Sequence, residues 1–261
     1  MTLSSEAISR QLNTRVIGRS VEYHPVASST QALARAAAQN GAPEGAVFIA
    51  DRQTAGRGRL GRTWQAPAGS SLLISILLRP SPEVYPLLSM AAALAVCHAI
   101  EAVTGLKPNL KWPNDVLLSN RKVAGLLVEG ELVGGDPDFA VMGVGVNVNL
   151  DPRDLAGISY PATSLQTETG TRVSRVLLAR ELILQLDRVY ANVCSGISPR
   201  DEWKSALITL GRRVRVDAGT AVHEGVAEDV DEHGALLLRR DDGCLLILLA
   251  GEVTLQVPAS G

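Results

Sequence analysis

Three arginines are interleaved with three glycines in the segment QTAGRGRLGRTW, residues 53–64: Arg57, Arg59 and Arg62 with Gly56, Gly58 and Gly61. A guanidinium binds phosphate or carboxylate through a fixed fork of donors, and glycine lets backbone amides approach the same anion. The chemistry this predicts is local anion capture. Solvated surface turns and minor-groove arms share the composition. The apolar runs on either side, 47–50 and 71–78, favour a loop built between two buried strands. Trp64 closes the loop in a chain only 3% aromatic. It reads either as a platform for a nucleobase or as a strand residue filling the core.

Three further segments carry reactive side chains. KWPND, 111–115, sets a cation and an indole before a proline whose fixed φ presents Asn114 and Asp115, although ordinary turns have the same composition. RKVAGLLVE, 121–129, opens with paired cations, so Lys122 is a candidate to contact a carboxylate or phosphoryl oxygen, and Gly125 permits close approach. GVGVNVN, 143–149, places Asn147 and Asn149 on one strand face and valines on the other; buried amides there need partners that a ligand could supply.

Other chemistries find no support. There is no GxxxxGK[ST] segment and no GxGxxG opening a helix after a strand. Cys97, Cys194 and Cys244 are far apart, and His24, His98, His223 and His233 show no metal spacing or triad pattern, so no metal ligands are expected and His98 reads as a core histidine. The formal charge is −2, from 25 basic and 27 acidic residues, which excludes a field that would recruit nucleic acid nonspecifically. Residues 1–20 are polar with no signal-peptide core, and no stretch reads as long enough for a membrane span, so the expected location is cytoplasmic.

The elements that must position these residues follow from period and punctuation. Ser29 and Thr30 cap a helix over 31–40 that stops at Gly41, and 87–104 reads as a buried helix ending at Gly105. Strands are predicted over 110–112, 116–118, 123–129 and 139–149, with a turn at 119–122; spacing this short favours hairpins over βαβ crossovers. Helices are expected over 174–193 and 203–210. After Gly211, strands over 214–216, 225–229, 235–239, 244–249 and 252–257 suggest a small barrel of about five strands. The predicted fold class is α+β, with a mixed, mainly antiparallel sheet and helices followed by a small β-barrel. The expected division is an N-terminal extension, 1–20, a catalytic domain, 21–210, and a C-terminal domain, 211–261.

Taken together and in this order, the Ser-Thr-Gln segment with GRGRLGRTW, then KWPND, RKVAGLLVE and GVGVNVN, resemble biotin–protein ligases, across roughly residues 21–257. The resemblance implies a catalytic domain like those of class II aminoacyl-tRNA synthetases and lipoate ligases, then an SH3-like barrel. It implies a biotin site drawn from Ser29, Thr30, Gln31, Gln53, Arg57, Gly58, Arg59, Lys122 and Gly125, with Gln31 standing where the family usually has Asn. Adenylate contacts would come from Arg59, Arg62, Trp64, Asn114, Asp115 and Asn147.

The implied reaction is attack of the biotin carboxylate on ATP with Mg²⁺ assistance, giving biotinyl-5′-AMP, and transfer to a lysine of the biotin carboxyl carrier protein of acetyl-CoA carboxylase. Negative charge grows on phosphoryl oxygens in the first step, which makes Lys122, Arg59 and Lys111 the leading catalytic candidates; Asp115 would orient or deprotonate the acceptor amine. Some relatives carry an N-terminal DNA-binding domain; about twenty residues precede the catalytic domain here, too few for one, so no DNA partner and no membrane partner are expected. An exposed sheet edge would allow a homodimer. Lipoate ligation and noncatalytic binding of an adenylate or nucleic acid remain the alternatives.

Overall fold

A computed structural model describes residues 2–10, 12–151, 153 and 161–255. Its larger sheet has seven strands in the order β1-β2-β3-β7-β6-β5-β4: β1 (Val21–Ala27), β2 (Val47–Gln53), β3 (Ser71–Leu78), β4 (Asn109–Lys111), β5 (Asp115–Leu118), β6 (Arg121–Val133) and β7 (Asp136–Asn147). Every neighbouring pair is antiparallel except β1–β2. The mixed, mainly antiparallel sheet expected from the hairpin spacing is therefore present. Strand β1, which the periodicity does not reveal, supplies the parallel edge.

The sheet is covered on both faces, which is why all eight residues of β3 are buried. Leu72, Ile74, Ile76 and Leu78 point into the main core, beneath α3 (Leu88–Thr104) and α5 (Arg175–Cys194). Leu77, with Phe48, Phe139 and Val141, meets Ala34 and Ala38 of α2 (Thr30–Gln39) on the opposite face. On that face of β3, Ser75 interrupts the apolar pattern, and there the functional cleft begins.

Helix α3 ends at Gly105 with φ 73°, as its glycine predicts. With the preceding turn it forms a helical stretch, Tyr85–Thr104, of 20 residues, long and apolar enough to cross a membrane by length and composition; this corrects the expectation that no stretch reaches that length. Packing against the sheet on one side and α5 on the other removes the need for a polar face. His98 is likewise not a core residue: it is half-buried, with Nε2 2.6 Å from Glu202 Oε1.

The helix expected over 203–210 runs instead as α6 (Arg200–Ser205), because the chain beyond it turns to bridge β4: Leu110 N–H donates to Ala206 O and Ile208 N–H to Leu110 O. Two short helices, α1 (Ser5–Ser9) and α4 (Leu165–Thr169), have too few turns to show a period. Leu3, Ile8 and Ile17 nonetheless join the main core, and the Asp187 carboxylate of α5 accepts from the amides of Arg15, Val16 and Ile17, each at 2.8 Å.

The C-terminal sheet is antiparallel, in the order β11-β10-β9-β8-β12, formed by β8 (Arg213–Asp217), β9 (Val222–Val230), β10 (Leu236–Arg239), β11 (Leu245–Leu248) and β12 (Glu252–Leu255). The expected last strand, 252–257, begins as predicted; its residues 256 and 257 lie outside the described residues. Val214, Val216, Leu236 and Val253 are continuous with the main core, and the Trp112 indole N–H donates to Gly234 O at 2.9 Å. That seating brings the start of β12 to the rim of the cleft.

Candidate active site

A cleft of about 970 Å³, its solvent-facing part included, opens on the α2 side of the larger sheet where β3, β6 and β7 run side by side. Its closed end is polar but uncharged. Ser29 caps α2 by accepting from Ala32 N–H at 3.0 Å, which brings Thr30 and Gln31 to the floor. Gln53 Oε1 accepts from the Thr30 amide at 2.7 Å and from its hydroxyl at 3.1 Å, while Ser75 Oγ lies 2.8 Å from Thr30 Oγ1 and donates to Gln31 Oε1 at 3.0 Å. Thr30, Gln31 and Ser75 are all at most 5% exposed. Burying this many amides and hydroxyls is favourable only when they satisfy one another or a ligand.

The other end is cationic. The antiparallel pairing of β5 with β6 brings Asp115 opposite Gly125, and from there its carboxylate meets two lysines: Lys122 Nζ at 2.5 Å and Lys111 Nζ at 3.6 Å. Arg59 reaches the same turn, its Nη1 3.4 Å from Asn114 Oδ1. Burial lowers the Arg59 pKa and Asp115 partly offsets this. Asn114 pins the turn to β6 by donating to Leu126 O at 2.7 Å. Glu168 braces the next turn, between β5 and β6, accepting from Ser119 at 2.8 Å, from Arg121 at 2.7 Å and from Thr163. Three cations around one carboxylate leave excess positive charge, a setting for the oxygens of a polyphosphate.

Between the two ends lies Trp64. Its ring rests on the cross-strand pair Gly125 and Gly145, where a Cβ would come within 2.8 Å and 2.6 Å of the indole respectively. Neither position tolerates a side chain while the ring is there. Lys122 Nζ lies 5.7 Å from the ring centroid, and the buried indole N–H has no acceptor among the described residues. Trp64 thus neither starts a strand nor fills the core.

The arginine loop covers the cleft as a small hairpin. Gly58 N–H donates to Arg62 O at 2.8 Å and Trp64 N–H to Gly56 O at 3.0 Å, so these groups close the loop on itself and the Gly58 amide is not free for an anion. A Cβ at Gly56 would sit 2.5 Å from Trp64 O, which explains the glycine. Arg57 pairs with Glu129 at 3.1 Å and Arg62 forms a two-pronged pair with Glu252 of β12. The C-terminal sheet thereby holds one arm of the loop.

All the site residues expected from the sequence line this one cleft except Asn147. Asn147 shares the strand face of Gly143 and Gly145 but turns its amide to Thr163 O at 3.0 Å, holding the chain that returns beside Lys122, and Asn149 is taken up by the backbone of Val173. Ser75, Gly143, Gly145, Glu129 and Glu252 escaped the sequence reading. The lone serine in SLLISILL and the alternate glycines of GVGV were the available signals; Glu129 and Glu252 carried none. Among the described residues no group of three or more His, Cys, Asp or Glu side chains could hold a metal.

Comparison with known proteins gives consistent matches. The pattern of the biotin/lipoate A/B protein ligase family matches residues 23–147, and that of the biotin protein ligase C terminal domain matches residues 209–256. The chain is 35% identical over 246 residues to a bifunctional ligase/repressor BirA of Bacillus subtilis, covering 92% of this chain and 76% of that protein. It is 33% identical to a biotin–[acetyl-CoA-carboxylase] ligase of Mycobacterium tuberculosis, covering 94% of each. Among solved structures, a biotin protein ligase from Aquifex aeolicus in complex with biotin and ATP superimposes with TM-score 0.76 at 28% identity, covering 91% of this chain and 99% of that one.

Proposed function

The chain belongs to the biotin/lipoate A/B protein ligase family, and from that premise we propose that it joins biotin to AMP and passes the biotinyl group to a lysine of a biotin carboxyl carrier domain. One observation carries the choice of acid. The closed end of the cleft is lined by the Thr30 and Ser75 hydroxyls and the Gln31 and Gln53 amides. A ureido ring offers one carbonyl and two N–H groups that can use the hydrogen-bonding capacity this floor has left over from its internal bonds, whereas the dithiolane of lipoate offers none.

In the first step the biotin carboxylate attacks the α-phosphorus of ATP, the phosphoanhydride bond breaks and pyrophosphate leaves. Lys122, Lys111 and Arg59 stabilise the charge that develops on phosphoryl oxygens, and because they are already in place little reorganisation accompanies the reaction. The carboxylate is ionised at neutral pH and needs no base. Mg²⁺ arrives on the triphosphate as part of the substrate. Arg57, Arg62 and Gly58 belong to the cover that keeps water from the mixed anhydride, and Trp64, between the polar floor and the cationic end, offers its ring face to the adenylate.

In the second step a neutral amine attacks the acyl carbon and AMP leaves. Asp115, released from Lys122 once phosphates claim that cation, accepts the proton that the amine sheds. The setting we propose for this chemistry is the cytoplasm, where ATP and reduced thiols coexist. Incubating the protein with ATP, biotin and a carrier domain, then probing with streptavidin, tests the reading. Labelling that requires ATP and the carrier's lysine supports it; transfer of lipoate but not biotin overturns it.

A further inference from the structure

The Glu129 carboxylate joins two parts of the site without lining the cleft itself. Its Oε2 accepts from Gln31 Nε2 at 3.2 Å on the floor, and its Oε1 meets Arg57 Nη2 at 3.1 Å in the loop. It borders instead a recess on the outer side of the loop, shared with Arg57 and Leu127. The orientation of the Gln31 amide is determined: Ser75 donates to its oxygen, and Leu127 O and Val141 O stand with Glu129 around its nitrogen. Turned over, the amide would present oxygen to a carboxylate and two carbonyls. Gly143 leaves room for it, since a Cβ there would stand 2.8 Å from Gln31 Oε1.

We propose that Glu129 is a positioning residue that ties the floor of the cleft to the arginine loop through the chain Gln31–Glu129–Arg57, so that filling the floor and seating the loop are coupled. The ligand-bound half of this inference rests on the reading of the cleft as a biotin site; the tether itself does not. Reach matters in the chain of contacts. Asparagine at position 31 would end one C–C bond short, about 1.5 Å, and a 3.2 Å contact cannot span that loss. Charge matters at the other contact: a glutamine at 129 can still accept from Gln31 but offers Arg57 no charge.

Limited trypsin digestion reads the tether directly, by the rate of cleavage after Arg57, Arg59 and Arg62. Without ligand, Glu129→Gln is expected to raise that rate about two- to fivefold, the range for a half-exposed ion pair, with the thermal midpoint unchanged. Saturating biotin slows cleavage in the wild type, and both Glu129→Gln and Gln31→Asn lose part of that protection, the double variant no more than the worse single one. Unchanged ligand-free cleavage in Glu129→Gln, or effects of the two substitutions that simply add, would overturn the proposal. Should Glu129→Gln not fold, the loss of protection in Gln31→Asn decides the matter. Calorimetry showing that the wild type binds no biotin would refute the substrate reading instead, and the ligand-free arm would still judge the tether.

Discussion

Adding one methyl group at Gly145 tests whether the position of the Trp64 ring matters to the chemistry. In Gly145→Ala the new Cβ would lie 2.6 Å from Trp64 Cε2 and 2.8 Å from Cζ2, so the ring must retreat about 0.8 Å to reach the 3.4 Å at which ordinary contact begins. Overpacking of this kind costs about 1–3 kcal/mol when the neighbours cannot move. Here the neighbour is a partly buried side chain with open cleft beside it, and it moves away, so the cost to folding stays near the low end. The cost to catalysis is larger, because misplacing a substrate-positioning group by ~1 Å loses about 10²-fold in rate. We expect kcat/KM for biotin-dependent pyrophosphate exchange to fall 10- to 100-fold, within that range, with an urea midpoint close to wild type. Emission reports the movement, since Trp112 and Trp203 are buried and Trp64 alone is exposed enough to respond. The control is the Trp64→Ala background, where all three of the nearest atoms that the methyl would meet are gone. If Gly145→Ala costs as much in that background as in the wild type, the harm comes from the strand and not from the ring, and the reasoning fails.

Three further outcomes are expected. Lys122→Ala removes the cation paired with Asp115 and lowers the exchange rate by about 10²–10³, while circular dichroism and the thermal midpoint stay close to wild type; full exchange would remove Lys122 from the chemistry. Asp187→Ala leaves the amides of Arg15, Val16 and Ile17 without their acceptor, and urea unfolding should show a loss of about 2–4 kcal/mol with activity per folded molecule retained. Burial alone would raise the Glu168 pKa, but the hydrogen bonds from Thr163, Ser119 and Arg121 outweigh it and hold the carboxyl below its ordinary 4.5. A folded value below the unfolded one means that its stabilisation is complete above pH 4.5 and is lost as pH falls through the folded value. Glu168→Gln should therefore destabilise at pH 7 and cost progressively less as the wild type is acidified below pH 4.5; a penalty independent of pH would contradict this.

What was legible in the sequence, and what was not, follows from the range over which each signal acts. Caps and stops are local: Ser29 before the alanines of α2 and Gly105 after α3 mark real helix ends. Chemistry concentrated in short motifs is equally visible, which is why two segments, KWPND and RKVAGLLVE, point to Lys111, Asn114, Asp115 and Lys122, and the fold brings all four to one cleft. Strand β1 reads VEYHPVA, with a proline and no clean alternation, and only its parallel pairing with β2 makes it a strand. Asn147 looked available because alternation assigns a face but not a partner; Thr163, sixteen residues away, takes its amide. Glu252 is the clearest case of a residue hidden from sequence reasoning. Nothing near it suggests a site, and it reaches the cleft because the C-terminal sheet packs against Trp112 and sets β12 beside Arg62. Helix α3 shows the reverse problem, a composition fit for a membrane that tertiary packing uses as the centre of a core.

The central claim is that the cleft makes an acyl-adenylate of biotin, and exchange of labelled pyrophosphate into ATP measures that step without any acceptor protein. With biotin, lipoate and octanoate run in parallel, the account predicts exchange that depends on biotin and falls by about 10²–10³ in Lys122→Ala. Exchange supported by lipoate or octanoate in place of biotin, or by none of the three acids, would contradict it.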